Sequence, residues 1–348
     1  MKRFLKIHTV LILLGVLVVG NTTGWSITTN VATTAGQFLK IGVGTRATAM
    51  GEAFVAVAND ASALYWNPAG LGLLKHREFL FTQTKWIADI QYSFLGAVMP
   101  LKGRGTIGGY IAYLGSGEMP VRTEESPEGT GETFMVQDLA VAVVYGVPFT
   151  DRFSFGMAFK YIGEKIWHMQ AGTFGVDIGI HFKTYLKGIN IGMNFANFGG
   201  KMRLMGEDTR FIYNIDPERD PNSTPNVVAD LRTESFQLPM RFQVGLSGPL
   251  PRLFASSLLR GIWAVDFITP NDNTPYFNVG TELYVGPFLT LRLGHRWIFL
   301  TDREGGFTAG LGFQAYKPKS PWKLYLDYSY LGVGRLQEAH RFGLRMQF

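Results

Sequence analysis

Beyond residue 75 the chain consists of segments of about ten residues in which apolar side chains alternate with small or polar ones. A period of two puts successive side chains on opposite faces of an extended backbone, so each segment predicts a strand with two unlike faces. Between residues 153 and 161, Phe153, Phe155, Met157, Phe159 and Tyr161 share one face, and Ser154, Gly156, Ala158 and Lys160 the other. The same rule sets Phe174, Val176, Ile178, Ile180 and Phe182 against Gly175, Asp177, Gly179 and His181. Fourteen such segments can be marked, at about 78–85, 90–101, 105–114, 136–147, 153–164, 173–183, 187–196, 236–247, 258–268, 276–285, 288–298, 306–315, 323–331 and 338–348.

The make-up of the two faces selects the kind of sheet. A soluble sandwich turns its apolar face inward and covers the other with Lys, Glu and Thr. Here the apolar face is continuous Phe, Leu, Ile and Val, while the second face is crowded with Gly, Ala, Asn and a few charges. That pattern predicts an all-β fold, a transmembrane antiparallel barrel of about fourteen strands with its apolar face in lipid. Closure follows because an open strand edge in hydrocarbon would strand backbone polar groups. Loop lengths support this arrangement. Long polar connections follow segments three and seven, at about 115–135 and 197–235. Short turns follow segments two, four, six and ten, such as Lys102-Gly103-Arg104 and Gly286-Pro287. This asymmetry predicts both termini in the periplasm and a bacterial outer-membrane location. Trp86, Trp167 and Trp297 end odd segments, and Trp322 and Tyr185 lie at the opposite rim, as headgroup-level aromatics would. In the last segment, Phe342, Leu344, Met346 and the terminal Phe348 share a face, with Arg341, Gly343, Arg345 and Gln347 opposite. That final strand resembles the signal read by the machinery that assembles outer-membrane barrels.

Composition narrows the classes. The 348 residues include 42 Gly and no Cys, and only 17% are charged. Absent Cys excludes disulfide scaffolds, cysteine-ligated metals and a lipoprotein anchor. The start, Met1-Lys2-Arg3-Phe4-Leu5-Lys6 followed by an apolar run from Val10 to Val19, predicts a signal peptide over 1–26, cleaved after Ser26. A retained anchoring helix is the alternative. Without Lys2, Arg3 and Lys6 the positive excess is too small to predict nucleic-acid binding, which needs a concentrated basic face.

Residues 27–75 break the period of two, and the barrel is expected over 76–348. Met50, Phe54 and Val57 recur at helical spacing among Ala and Gly, Asp60 can cap a short helix over Ala61 to Trp66, and Pro68 stops it. This predicts a small helical hatch folded into the lumen from the periplasmic side. The stretch IGVGTRATAMGEAFVAVANDASALYWNPAGL, from Ile41 to Leu71, resembles the N-terminal signature of the PorV/PorQ family of outer-membrane proteins. Those proteins are similar in fold to the FadL fatty-acid transporters, whose hatch carries an element related to Asn67-Pro68-Ala69. The resemblance implies a FadL-like barrel with a hatch whose motif residues are Gly42, Gly44, Arg46, Met50, Gly51, Glu52, Phe54, Asp60, Asn67, Pro68, Ala69 and Gly70. Two roles are implied: a PorV-type component of type IX secretion that binds or shuttles exported proteins, or a channel for long-chain fatty acids or other hydrophobic solutes. A structural barrel without traffic is the third reading.

Little else suggests chemistry. Gly42-x-Gly44-x-x-Ala47 imitates a dinucleotide fingerprint but lacks the βαβ context that motif needs. The histidines show no metal-ligand spacing and no Gly-x-Ser-x-Gly elbow occurs, so neither catalysis nor a cofactor is expected. By parity Lys160, Asp177, Arg241, Arg260, Asp266, Glu282, Arg292, Asp327 and Arg345 point into the lumen. Charges confined there should pair across strands or with Arg46, Glu52 and Asp60, rigidifying the barrel. A gate that moves around Asn67 and Pro68 is the sharper alternative. Expected partners are outer-membrane lipids, the barrel-assembly machinery, exported cargo or secretion-complex subunits at loop 197–235, and hydrophobic small molecules.

Overall fold

The computed structural model describes residues 31–186, 188–214, 226–250, 259–300, 303–316, 322–336 and 338–348. The expected signal peptide, residues 1–26, lies outside the described residues, as does the start of the 27–75 segment.

Fourteen antiparallel strands form the wall. They are β1 (Glu78–Lys85), β2 (Gln91–Pro100), β3 (Thr106–Gly115), β4 (Val136–Pro148), β5 (Phe153–Ile166), β6 (Met169–Lys183) and β7 (Asn190–Gly199). The second half comprises β8 (Arg241–Pro249), β9 (Leu259–Pro270), β10 (Tyr276–Val285), β11 (Leu289–Ile298), β12 (Phe307–Tyr316), β13 (Lys323–Gly332) and β14 (Glu338–Gln347). Each pairs with its neighbour in sequence, and β1 pairs with β14 from Glu78↔Gln347 to Lys85↔His340, which closes the sheet. Closure leaves no free edge to meet lipid. Alternation decides which way each side chain points. On β5, Phe159 is 56% exposed, whereas Ala158 and Lys160 on either side are 1% and 2% exposed. The core therefore lies inside the barrel, and the Phe, Leu and Met faces form the outer surface.

That interior is filled by the stretch from Phe38 to Leu71, nearly all of it buried. Thr34 bridges Gln237 and Lys40 meets Asp272 at the rim carrying the long loops. The chain then crosses the lumen and leaves at the short-turn rim, where the Arg77 amide donates to the Phe348 carbonyl at 3.1 Å. The entry point differs from the sequence expectation, which had the segment enter from the short-turn side. Regular helix is also scarcer than the spacing of Met50, Phe54 and Val57 suggests. Among the described residues of this segment α-helical turns occur only at Thr45–Ala49 and Ala63–Trp66, with short 3₁₀ pieces at Gln37–Lys40 and Pro68–Leu73. Gly51 and Glu52 have φ of 64° and 62°, which ends the first turn. Beyond it the Phe54 and Val55 amides bond to the wall instead of to a helix.

Glycines on the luminal face allow the backbone of this segment to touch the wall directly. A Cβ on Gly280 would strike the Met50 carbonyl, one on Gly294 the Gly51 backbone, and one on Gly156 the Pro68 backbone. The small-residue face is thus a packing surface for residues 45–72.

The two long connections are not plain loops. Met119–Pro120 pairs with Thr133–Phe134, Lys201–Arg203 with Ser235–Gln237, and Arg210–Asn214 with Asn226–Asp230. The expected headgroup aromatics divide. Trp322 and Tyr185 are exposed at the short-turn rim, Trp322 stacked on Phe348 at 4.9 Å. Trp86 instead packs against buried core residues, and the Arg296 guanidinium lies 3.6 Å from the centre of the Trp297 ring. Trp297 has φ of 62°, which takes its side chain off the strand alternation.

Candidate functional site

The seam between the luminal segment and the wall gathers most of the residues singled out from sequence. Its centre is Glu282 on β10, a fully buried carboxylate. Glu282 accepts from Arg46 Nε at 2.9 Å and Nη2 at 2.7 Å, from Arg292 Nε at 2.8 Å and from the Tyr284 hydroxyl at 2.6 Å. Arg46 Nη1 also donates to Asp60 at 2.8 Å, and Arg292 Nη1 to Asp327 at 2.5 Å. Arg345 lies 3.6 Å from Glu78, whose Oε2 accepts from the Ala61 amide at 2.8 Å. Both signs and nearly all donors are matched, as buried ions require. Burial opposes ionisation of Asp60, but Arg345 and Arg46 outweigh it and hold the carboxyl below the ordinary carboxylate range. Asp60 also accepts from the Ser62 amide at 2.9 Å, so it caps the turn leading into Ala63–Trp66.

On the opposite wall, Lys160 meets Asp177 at 2.6 Å and also donates to Asn197. Asn197, with φ of 63°, sits where the β6–β7 register shifts, and its amide donates to Asp177 at 2.7 Å. Asp266 on β9 accepts from the consecutive amides of Phe54 and Val55 at 2.8 and 2.9 Å. One carboxylate oxygen thereby replaces the helical partners those amides lack. Asn67, fully buried, donates to the carbonyls of Val55 at 2.8 Å and of Ile180 on the wall at 3.0 Å, and accepts from the Ala69 amide at 3.1 Å. Trp66 Nε1 donates to the Val43 carbonyl at 2.8 Å, and Phe54 lies edge-on to Trp66. Gly42 abuts Glu52, Gly70 abuts Ala58, and Met50 is buried over Gly280.

Arg241 points inward as expected, but among the described residues it has no ion-pair partner. Its guanidinium lies 5.7 and 5.4 Å from the centres of the Tyr65 and Trp66 rings. Arg260 departs from expectation: it has luminal parity but is exposed near the short-turn end of β9 and takes no part in the network. Parity reports the face and not the depth. Luminal charges that escaped the sequence reading of the lumen include Glu78, Glu164, Arg296 and Arg341. Arg296 donates to Glu52 at 2.7 Å and Arg341 to the Thr84 hydroxyl at 2.6 Å. The parity that gave Arg292 and Arg345 also reaches both arginines. Glu78 opens its strand, where no alternation precedes it.

His181 faces inward, its Nε2 3.3 Å from the Ala56 carbonyl, and Ser247 donates to the same carbonyl at 3.0 Å. Gly44 precedes the turn Thr45–Ala49 inside the barrel, with no strand before it among the described residues, so the dinucleotide reading lacks its context. Beside the seam, near the long-loop rim, a cavity of about 70 Å³ is lined by Leu39, Glu52, Arg241, Tyr276 and Trp297 among others. In the loop after β7, the hairpin Arg210–Asn214/Asn226–Asp230 exposes Phe211, Ile212, Tyr213, Val227 and Val228.

No curated protein matches the chain. Among solved structures it is similar to the toluene transporter TodX of Pseudomonas putida, at 12% identity and a TM-score of 0.56, over 88% of this chain and 97% of that one. It is also similar to the toluene transporter TbuX of Ralstonia pickettii, at 14% identity and a TM-score of 0.54, over the same 88% and 97%. The CymD monoaromatic hydrocarbon channel is similar at 10% identity and a TM-score of 0.55, again over 88% and 97%. At such identities the likeness is one of fold, a closed antiparallel β-barrel. A family model described as type IX secretion system protein PorV matches residues 26–219. That span takes in more than half of the sequence, including the whole luminal segment and the first seven strands, and the chain belongs to the PorV family.

Proposed function

We propose that this protein is an outer-membrane component of type IX secretion that binds exported proteins or subunits of the secretion complex at its long-loop rim, with its lumen held shut by the luminal segment, residues 38–71, acting as a plug. The observation that carries this reading is the density of the seam. Glu282, Asp266, Glu78 and Glu164 on four different strands each accept a donor from the plug, and the luminal glycines accept its backbone. A plug tied on so many sides suits a barrel that works through its rim and not through its pore. The exposed apolar hairpin after β7 supplies a surface for a protein partner. In this reading residues 1–26 direct export and are removed, the assembly machinery reads the strand ending at Phe348, both ends of the barrel wall lie on the periplasmic side, and the long loops face outward. No catalytic step is assigned.

A second reading, uptake of a hydrophobic solute, draws on the likeness to hydrocarbon channels and on the cavity beside Tyr276 and Trp297. That route requires the plug to move. The Thr48 and Ser329 hydroxyl oxygens lie 3.1 Å apart across the seam, and the chain has no Cys of its own. A Thr48→Cys/Ser329→Cys pair therefore locks the plug to β13 on oxidation. The proposal predicts undiminished surface delivery of exported proteins from cells carrying only the oxidised variant. Export lost on oxidation and restored by reductant contradicts it, and loss of growth on a hydrophobic substrate with export intact favours the solute reading.

A further inference from the structure

Where the loop after β7 returns across the wall, a groove of about 790 Å³ opens on the outer surface of β3 to β6. Its lower part is apolar and belongs to the lipid-facing set: Tyr113, Leu139 and Tyr161 are 38%, 36% and 43% exposed. A side chain at Gly172 would strike the Tyr161 hydroxyl, so the tyrosine ring extends across β6. Three cations line the same groove: Lys165, Lys201 and Arg203. Alternation explains the pair on the loop, because Met202 between them is buried in the core and turns Lys201 and Arg203 to the outside. Among the described residues none of the three has an ion-pair partner, and Arg203 Nε is buried without an acceptor. One carboxylate, Glu164, also lines the groove, but its Oε1 already accepts from the Gly36 amide at 2.7 Å on the luminal side.

Uncompensated cations above an apolar, lipid-facing slope call for a ligand that is anionic at one end and greasy at the other. A phosphate offers several acceptor oxygens to such a group of donors, and each cation near a membrane surface adds about fivefold to anionic-lipid affinity. We propose that this groove binds the phosphorylated headgroup of a glycolipid in the leaflet on the long-loop side, its acyl chains running down past Tyr161, Leu139 and Tyr113. The source of the phosphate rests on the reading that the long loops face outward.

The test uses the full chain purified in detergent and native mass spectrometry with three probes: bisphosphorylated lipid A, its dephosphorylated form with the same acyl chains, and phosphatidylglycerol. The bisphosphorylated lipid is expected to be retained about tenfold or more tightly than the dephosphorylated one. That preference should vanish in Lys165→Gln/Lys201→Gln/Arg203→Gln and persist in Arg152→Gln, a change at the opposite rim. Equal retention of the two lipid A forms, or displacement of lipid A by inorganic phosphate at matching concentration, overturns the assignment of the groove. A preference for phosphatidylglycerol over lipid A overturns the outward orientation instead, and the glycolipid with it. The comparison of lipids on the unaltered chain stands even where the triple variant fails to fold.

Discussion

At the residue scale, the seam depends on a few carboxylates that each serve several donors. Glu282 is the most heavily used, joining Arg46 from the plug to Arg292 and Tyr284 from the wall. Removing one member of a buried ion network leaves the others charged and unpaired, which costs about 3–5 kcal/mol. Glu282→Ala should therefore lower the unfolding free energy of the barrel by an amount of that order, read from the shift of its urea transition in heat-modifiable gel mobility. A change below about 1 kcal/mol would show that water replaces the carboxylate, since a surface pair contributes no more than that. Asp272, in the turn after β9, behaves differently with pH. Burial opposes its ionisation, but the Lys40 ammonium and the Thr34 and Gln37 side chains outweigh it and hold the carboxyl below the ordinary range. A folded value lower than the unfolded one means that the contact stabilises above the ordinary carboxylate pKa of about 4 and is lost as pH falls through the folded value. A nitroxide at Ala35→Cys should stay immobile from neutral pH to about 5 and gain mobility on acidification below about 4. An unchanged spectrum down to pH 2 contradicts a role for Asp272 in tethering the start of the plug.

At the element scale, the strands were the most legible part of the sequence, because each carries its own two-face pattern. The segments marked at 78–85 and 276–285 coincide with β1 and β10. The largest departures border the loop after β7. Residues 236–240 continue the apolar alternation, yet Phe236 pairs with Met202 in the loop and the barrel strand starts at Arg241. Short β pairs made by chain return leave too few residues for a period to register. The plug was legible as a non-β segment but not as an irregular one, because what holds Phe54 and Val55 is Asp266, 212 and 211 residues away. Trp297 illustrates a further limit: its place at a strand end is visible in sequence, but the positive φ that turns it inward is not. Two elements carry predictions. Gly280→Val places a side chain where the Met50 carbonyl lies, so the variant should expose residues 31–77 to protease while unaltered protein resists. Equal resistance would mean that the wall yields to the plug. Ile212→Asp/Val228→Asp in the hairpin after β7 should reduce co-purification of secretion partners about tenfold, a loss of about 1.4 kcal/mol, without altering the gel mobility of the barrel. Unchanged co-purification removes the hairpin from the docking surface.

At the scale of the whole molecule, the barrel reverses the usual placement of apolar residues. Its core is the plug and the small-residue face around it, and large apolar side chains of the strands, Phe159, Phe174 and Phe342 among them, cover the outside. Every role proposed for the rim presupposes that this outside lies in lipid. The most direct measurement takes advantage of the chain having no Cys. Single cysteines placed in turn from Ser154 to Lys160 on β5, labelled with a fluorophore and reconstituted with brominated-chain lipids, report contact with acyl chains at each position. Quenching should be strong at residues 155, 157 and 159 and weak at 154, 156, 158 and 160. Uniform quenching, or a maximum that recurs every three to four residues, contradicts a lipid-facing β-barrel wall.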